Sequence, residues 1–383
     1  PSHFYSFSFA PNPDWTRKWA KQPEILDYFE GLVSRFSLEA NLRLGTEVTE
    51  STWSDADCRW TVRTNDGRTW EADVLVNALG QLNMPYVPDI AGLADFGGTV
   101  FHSARWDHDH DLGGERVGVI GIGASAIQFV PPVTREAAHT TLFQRSANYV
   151  APKPDREFHA WERWVFRNVP GANRAYRFWI WARLEARFSL MRRNSALGRM
   201  LEKRYKAEVA KMASDRLPLD ALVPDYPPGC KRVLIADDWF PAITRDDVEV
   251  VTDDVVGITE DGVDTANGRH IELDTIIFGT GFRSTDFLTP LKITGIGGRD
   301  LNEAWDGGAV AYLGLSVAGF PNMFMLYGPN TNLGHNSILF MIEQQVDYIL
   351  AALEQVERRG AGAIDVTEGA LTRWDEEMLR RSA

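Results

Sequence analysis

The chain has 383 residues, enough for two domains, with an ordinary globular composition of 44% hydrophobic and 24% charged residues and no low-complexity tract. A net charge of −13 argues against general nucleic-acid binding. No apolar run is long enough for a membrane-spanning helix, and Cys58 and Cys230 make neither a disulfide framework nor a metal-ligand spacing. With no signal peptide visible, the expected location is the cytoplasm.

Residues 1–22 are aromatic and turn-rich and predict an irregular packed loop. Pro23-Glu24 opens a predicted helix, with Ile25, Leu26, Phe29, Leu32 and Val33 at helical spacing and Pro in its first turn. Leu42-Arg-Leu44 and Glu47-Val48 read as strand. Trp60 to Ala72 reads as a β-hairpin turning at Asn65-Asp66-Gly67. Val74 to Gly80 is a buried strand ending at a glycine. Trp106-Asp-His108-Asp-His110-Asp111 alternates metal-ligating residue types. Alternate residues on one loop rarely converge on an ion, so a solvated linker is expected.

Arg116-Val-Gly-Val-Ile120 then predicts a strand, followed by Gly121-Ile-Gly123-Ala124-Ser125-Ala126 and an apolar helix start. Gly121 permits a tight turn, Gly123 lets a pyrophosphate approach the backbone, and Ala126 is small where helix and strand meet. The N–H groups of Gly123, Ala124, Ser125 and Ala126 then face the anion. The next strand, Thr140 to Gln144, ends at Arg145-Ser146. An NAD site usually has an acid there for the ribose 2′-hydroxyl. A guanidinium and a hydroxyl suit a 2′-phosphate, which favours NADP.

Residues 156–216 hold 15 Lys/Arg against 6 Asp/Glu in an otherwise acidic chain, with Trp161, Trp164, Phe166, Tyr176, Phe178, Trp179, Trp181 and Phe188 among them. Pro170-Gly171 splits the segment into two helical stretches, and Tyr176, Trp179, Ile180 and Phe188 fall near one face. The first reading is a helical insert whose aromatics are core and whose Arg stems cover apolar surface. The second is a weak contact with a membrane surface, and the third a set of cations that helps hold a polyanionic dinucleotide.

Val223 to Arg232 is a proline-rich entry to the strand Val233-Leu-Ile235. Further strands are expected at 248–251, 262–265 and 272–278, the last ending in the tight turn Gly279-Thr280-Gly281-Phe282. Met323 to Tyr327 is another buried strand. It leads through Gly328-Pro-Asn330-Thr-Asn332-Leu-Gly-His-Asn336 to a helix over 338–353, with Gln344, Gln345 and Asp347 on its polar side. No GxSxG elbow or reactive-Cys signature appears.

Phe96-x-Gly98-x-x-x-His102-x-x-x-Trp106-Asp107 resembles the fingerprint of Baeyer–Villiger monooxygenases, flavoproteins that insert oxygen next to a ketone. All five defining positions match, and the resemblance extends from Pro1 to near Leu353. It implies an α/β fold with two Rossmann-like dinucleotide-binding domains. Residues 1–108 would be the first part of the FAD domain, 109–275 the NADP domain with the helical insert at 156–216 over a substrate channel, and 276–383 the rest of the FAD domain. A first strand–GxGxxG–helix unit of about 50 residues is expected ahead of Pro1, together with an active-site carboxylate. Leu79 departs from the Thr usual in the family's ATG turn.

The resemblance also assigns chemistry. NADPH reduces FAD, O2 adds to give a peroxyflavin, and its attack on a ketone yields an ester or lactone. The Gly229-Cys-Lys231-Arg232 element implies Arg232 as stabiliser of the peroxide charge and Lys231 as a contact to the NADP ribose or phosphate. His102 has the chemistry of a general base, yet its fingerprint position implies a structural or conformational role. Thr280, Gly281 and Phe282 resemble the segment returning the chain to the FAD domain, and Asn330 and Asn332 are expected against the flavin ring or diphosphate. The alternatives are an N- or S-oxygenating flavin monooxygenase of the same fold, or a nucleotide-binding fragment without activity. Expected partners are a small ketone and O2.

Overall fold

The computed structural model describes residues 1–382 apart from 192–195, 229, 333 and 335. The fold is α/β. In chain order the strands are β1 (Val48–Ser54), β2 (Arg59–Thr64), β3 (Thr69–Ala72), β4 (Leu75–Asn77), β5 (Thr99–His102), β6 (Arg116–Ile120), β7 (His139–Phe143), β8 (Val150–Ala151), β9 (Leu234–Ile235), β10 (Val248–Val251), β11 (Val255–Ile258), β12 (Gly262–Thr265), β13 (His270–Glu272), β14 (Thr275–Phe278), β15 (Lys292–Thr294) and β16 (Met323–Met325). The helices are α1 (Gln22–Arg35), α2 (Ala126–Glu136), α3 (Ala160–Asn168), α4 (Ala172–Met191), α5 (Ala196–Val209), α6 (Leu219–Leu222), α7 (Trp239–Ile243), α8 (Leu301–Ala304), α9 (Ile338–Arg359) and α10 (Glu368–Ser382).

The chain divides into two compact units. Unit 1 comprises Pro1–Asn83, Asp155–Leu184 and Ser284–Ala383, and unit 2 comprises Met84–Pro154 and Glu185–Arg283. The expected insert at 156–216 is therefore shared between them, with α3 and the first part of α4 in unit 1.

Unit 2 is built on a five-stranded parallel sheet in the order β10-β7-β6-β14-β5. The middles of its central strands β6 and β14 are apolar because helices and loops cover both faces, as parallel sheets require. Val117, Val119, Leu142, Ile276 and Ile277 are fully buried. Ala126, Ile127 and Val130 of α2 pack on one face with Trp239 and Ile243 of α7. The antiparallel meander β11-β12-β13 packs Ile258, Val263 and Ile271 against the other.

Unit 1 holds a four-stranded sheet, β15-β1-β2-β3, and the short parallel pair β16-β4. The hairpin β2–β3 forms where alternation and the Asp66-Gly67 turn predict it, with Gly67 at φ 79°. Leu42–Leu44 is not strand. No neighbouring strand supplies partners there; Leu44 is exposed, and the Arg43 guanidinium instead donates to the carbonyls of Ala40 and Leu42. The helices α3 and α4 part at Pro170-Gly171 as expected. The expectation that the aromatics of this segment are core holds only in part: Trp161, Trp164, Phe178 and Trp179 are exposed, while Phe158 and Ile180 are buried and Phe166 and Tyr176 pack around His3. Phe188 lies outside the described side chains. Among the described residues no helix is long and apolar enough to cross a membrane.

Candidate functional site

In unit 2 the site grows from the end of β6. Gly121 sits at φ +94°, and a Cβ there would meet the Gly279 carbonyl oxygen at 2.9 Å. A Cβ on Gly279 would in turn meet the Gly121 oxygen at 2.6 Å. The two glycines oppose each other where β6 and β14 end, and neither tolerates a side chain. Backbone bonds hold the turn: Gly121 N–H donates to Phe143 O at 3.0 Å and Gly279 N–H to Ile120 O at 2.8 Å. At Gly123 a Cβ would meet nothing nearer than 3.9 Å, so the surface over it is open. Ala126 is wholly buried. The N–H groups of Gly123, Ala124, Ser125 and Ala126 have no acceptor among the described residues, as expected at the start of an α-helix. This gives α2 a donor cradle that fits a phosphate.

A second layer flanks that turn. Ser146 Oγ accepts from Lys231 Nζ at 2.8 Å, so residues far apart in sequence meet beyond the end of β7. Lys231 Nζ also lies 4.5 Å from the centre of the Tyr226 ring, a cation–π contact. The Tyr226 hydroxyl reaches Ala147 O at 3.0 Å and Asn148 Oδ1 at 3.2 Å. Asn148 Nδ2 donates to Ile122 O, inside the glycine turn, at 2.8 Å. Burial pushes the Tyr226 phenol above its ordinary pKa, so it stays neutral. Sequence reasoning missed Tyr226 and Asn148, because neither carries a motif. Arg145 and Arg232 are exposed, and neither makes a hydrogen bond or ion pair among the described residues. Gly229 lies outside the described residues.

His102 ends β5 in the same unit and is 5% exposed. Its Nδ1 accepts from Ala104 N–H at 3.0 Å, so the ring proton sits on Nε2, which is buried without a partner. Burial lowers its pKa, against an opposing influence of the Gly281 carbonyl, and Arg105 lowers it further. A neutral ring whose basic nitrogen is already engaged is a poor general base. The ring lies edge-on to Phe282, with centroids 6.0 Å apart. Thr280, Gly281 and Phe282 pair with the strand-like segment Met84–Tyr86: Tyr86 N–H donates to Gly281 O, Arg283 N–H to Met84 O, and Thr280 Oγ1 to Tyr86 O. The fingerprint's Trp106 packs with its ring centre 5.1 Å from Phe101 and 5.4 Å from Phe129. His110 does not stand in a solvated linker; it is held between Glu115 and Thr275.

Asn330 and Asn332 belong to unit 1, in the loop between β16 and α9. Asn330 is exposed at φ +61°. Asn332 Oδ1 accepts from the Tyr327 hydroxyl at 2.8 Å. Tyr327 itself has φ +58°, and its N–H donates to Gln345 Oε1 at 3.0 Å. Gln345 is therefore not on the polar face of its helix; it is buried, whereas Gln344 and Asp347 are exposed. Gln345 Nε2 and Asn77 Nδ2 are buried donors without a partner beside the ends of β16 and β4. Leu333 and His335 lie outside the described residues.

The pyridine nucleotide-disulphide oxidoreductase family matches residues 4–168. A protein of Pseudomonas aeruginosa named Baeyer–Villiger monooxygenase is 39% identical over 380 residues, which are 99% of this chain and 72% of that one. An FAD-binding monooxygenase of Aspergillus niger is 37% identical over 372 residues, 93% of this chain and 60% of that one. Among solved structures, an oxidised steroid monooxygenase bound to NADP superposes with a TM-score of 0.83 at 32% identity, covering 99% of this chain and 80% of that one. A cyclohexanone monooxygenase in its closed form gives 0.84 at 30% identity, with 98% and 78% covered.

Proposed function

The chain belongs to the Baeyer–Villiger monooxygenase family, and on that premise we propose that it uses FAD, NADPH and O2 to convert a ketone to an ester or lactone. One oxygen atom enters beside the carbonyl; the other leaves as water, with NADPH giving the hydride and solvent the remaining proton. The flavin, when bound, supplies the oxygen activation. The residues fit both nucleotides. In unit 2 the open surface over Gly123 and the free N–H groups suit a pyrophosphate, with exposed Arg145 and the Lys231–Ser146 pair for a 2′-phosphate. In unit 1 the unpartnered amide donors of Asn77 and Gln345, with exposed Asn330, suit the polar edge of a flavin.

The observation that carries this reading is the Lys231–Ser146 contact at 2.8 Å. It ties the Lys231-Arg232 pair to the strand end where the nucleotide ribose is expected. Lys231 binds the NADPH phosphate or ribose. Arg232, charged and without an ion pair among the described residues, balances the negative charge that builds on the activated oxygen, where its fork of donors is apt. His102 acts as a positioning residue for the turn at Gly281.

The test is turnover of the FAD-loaded chain with NADPH and a panel of cyclic and aryl ketones, with esters and lactones analysed. Ester formation is expected, and Arg232→Met should abolish it while leaving NADPH affinity within about threefold. If thioethers or amines are oxygenated and no ketone is, the chemistry is heteroatom oxygenation instead.

A further inference from the structure

Nothing in the reaction above uses the outer face of α3 and α4. We infer that this face is a docking surface for an anionic lipid bilayer, lying among the headgroups without crossing. Trp161 is 65% exposed, Trp164 62%, Phe178 64% and Trp179 49%. Three of the four tryptophans exposed among the described residues are here, the other being Trp70. The exposure does not come from loose helices. On the inner side Arg177 Nη1 donates to the carbonyls of His3 at 2.7 Å and Ser6 at 2.6 Å, and Ile180 is buried. His3 is enclosed by Phe158, Phe166 and Tyr176. The helices are anchored and present their rings outward.

Charge selects the partner. Arg156 is neutralised by Glu162, and Arg167 by Asp14. The guanidinium groups of Arg163 and Arg174 have no ion pair or hydrogen bond among the described residues, and each residue lies within four residues of an exposed ring. The whole chain carries −13, so two unneutralised guanidinium groups beside exposed indoles form a local exception. A symmetric contact with a second copy would set the same cations against each other and desolvate them without a counter-ion. A lipid surface meets both demands. Tryptophan rings rest at headgroup level, the Arg heads stay hydrated beside lipid phosphates, and the aliphatic stems cover apolar surface. No described helix is apolar enough to cross, so the contact is confined to the surface.

The experiment is co-sedimentation of the full chain with vesicles of phosphatidylglycerol and phosphatidylcholine in equal parts, and with phosphatidylcholine alone. Tryptophan quenching by brominated lipid serves as a second readout. Binding is expected to the anionic vesicles, weakened by salt. Arg163→Gln with Arg174→Gln should weaken it on the order of 25-fold, about fivefold for each charge near the surface. Trp164→Ser with Phe178→Ser should lower it further and remove the part of the quenching that Trp164 carries, leaving that of Trp161 and Trp179. Circular dichroism checks both variants, and the arginine pair, half-buried at Arg163 and exposed at Arg174 with no side-chain partner among the described residues, keeps the test decisive if the aromatic pair misfolds. The inference is overturned if the parent fails to sediment with anionic vesicles at low salt, or if the arginine variant binds as the parent does. It is equally overturned if light scattering shows a lipid-free oligomer that both variants dissolve.

Discussion

Two strand-to-helix connections in this chain are built in opposite ways. Between β6 and α2 the turn is short and made of backbone. Gly121 and Gly279 face each other with no room for a Cβ, and the bonds at both glycines run between main-chain groups, with the Asn148 and Gln128 amides adding side-chain bonds to Ile122 O and Ala124 O. Between β16 and α9 the loop is long and made by side chains. Tyr327 and Asn330 take left-handed backbone, Gln345 accepts from the Tyr327 N–H, and Thr331 Oγ1 donates to Gly328 O at 2.7 Å. The first connection leaves its N–H groups free for a ligand and is sensitive to bulk. The second spends side chains on its own shape and is sensitive to loss of a hydrogen-bonding partner.

The largest effect should come from bulk at the first turn. Gly121→Val places a β-branched residue at φ +94° with its Cβ 2.9 Å from a carbonyl oxygen. A loss of about 3 kcal/mol or more is expected in denaturant melts, with NADP binding at least 100-fold weaker by calorimetry. Gly123→Ala separates the two consequences. Its Cβ has 3.9 Å of clearance, so stability should stay within about 0.5 kcal/mol. NADP affinity should nonetheless fall at least tenfold, because the methyl occupies the surface where phosphate approaches. Parental NADP affinity in Gly123→Ala would remove the phosphate from this turn.

At the second connection the matching change deletes a partner. Gln345→Leu leaves the Tyr327 N–H without its acceptor and should cost about 1–3 kcal/mol. An unchanged melt would mean that the loop holds its shape without the glutamine, and the contrast between the two turns would collapse. A smaller effect is expected where a side chain supplements the backbone-built turn. Lys231→Met removes one charge-assisted contact, to Ser146 and to the phosphate it is proposed to meet. The KM for NADPH should rise about tenfold, or about 1.4 kcal/mol, while that for NADH stays put. An equal rise for both nucleotides would move Lys231 away from the 2′-phosphate.

The same contrast explains what could be read from sequence. Gly121, Gly123 and Ala126 were legible because a backbone-built turn writes its steric limits as small residues at fixed spacing. The hairpin at β2–β3 was legible for a similar reason, since Asp66-Gly67 supplies the turn and alternation fixes the faces. Gln345 was not. Helical periodicity placed it with Gln344 and Asp347, and only its long-range bond to Tyr327 decides that it is buried. Asn148 and Tyr226 are likewise defined by partners distant in sequence, at Ile122 and Lys231. Leu42–Leu44 had strand-like composition but no strand to pair with. In α3 and α4 the aromatics read as core by base composition. The signal that pointed outward was Arg163 and Arg174 interleaved with the rings, since unpaired cations are seldom part of a core.

The smallest effect separates backbone from ligand in the asparagine loop. Asn330 holds φ +61°, a conformation that asparagine and glycine adopt at little cost and alanine adopts at about 1 kcal/mol. Asn330→Gly should therefore melt with the parent, and Asn330→Ala about 2–3 °C lower. The proposed flavin contact predicts a different pattern for FAD retention, because both substitutions delete the amide. If FAD loosens in both variants, the side chain meets the flavin. If it loosens only in Asn330→Ala, the residue serves the loop alone, and the second connection would shape the site without touching its cofactor.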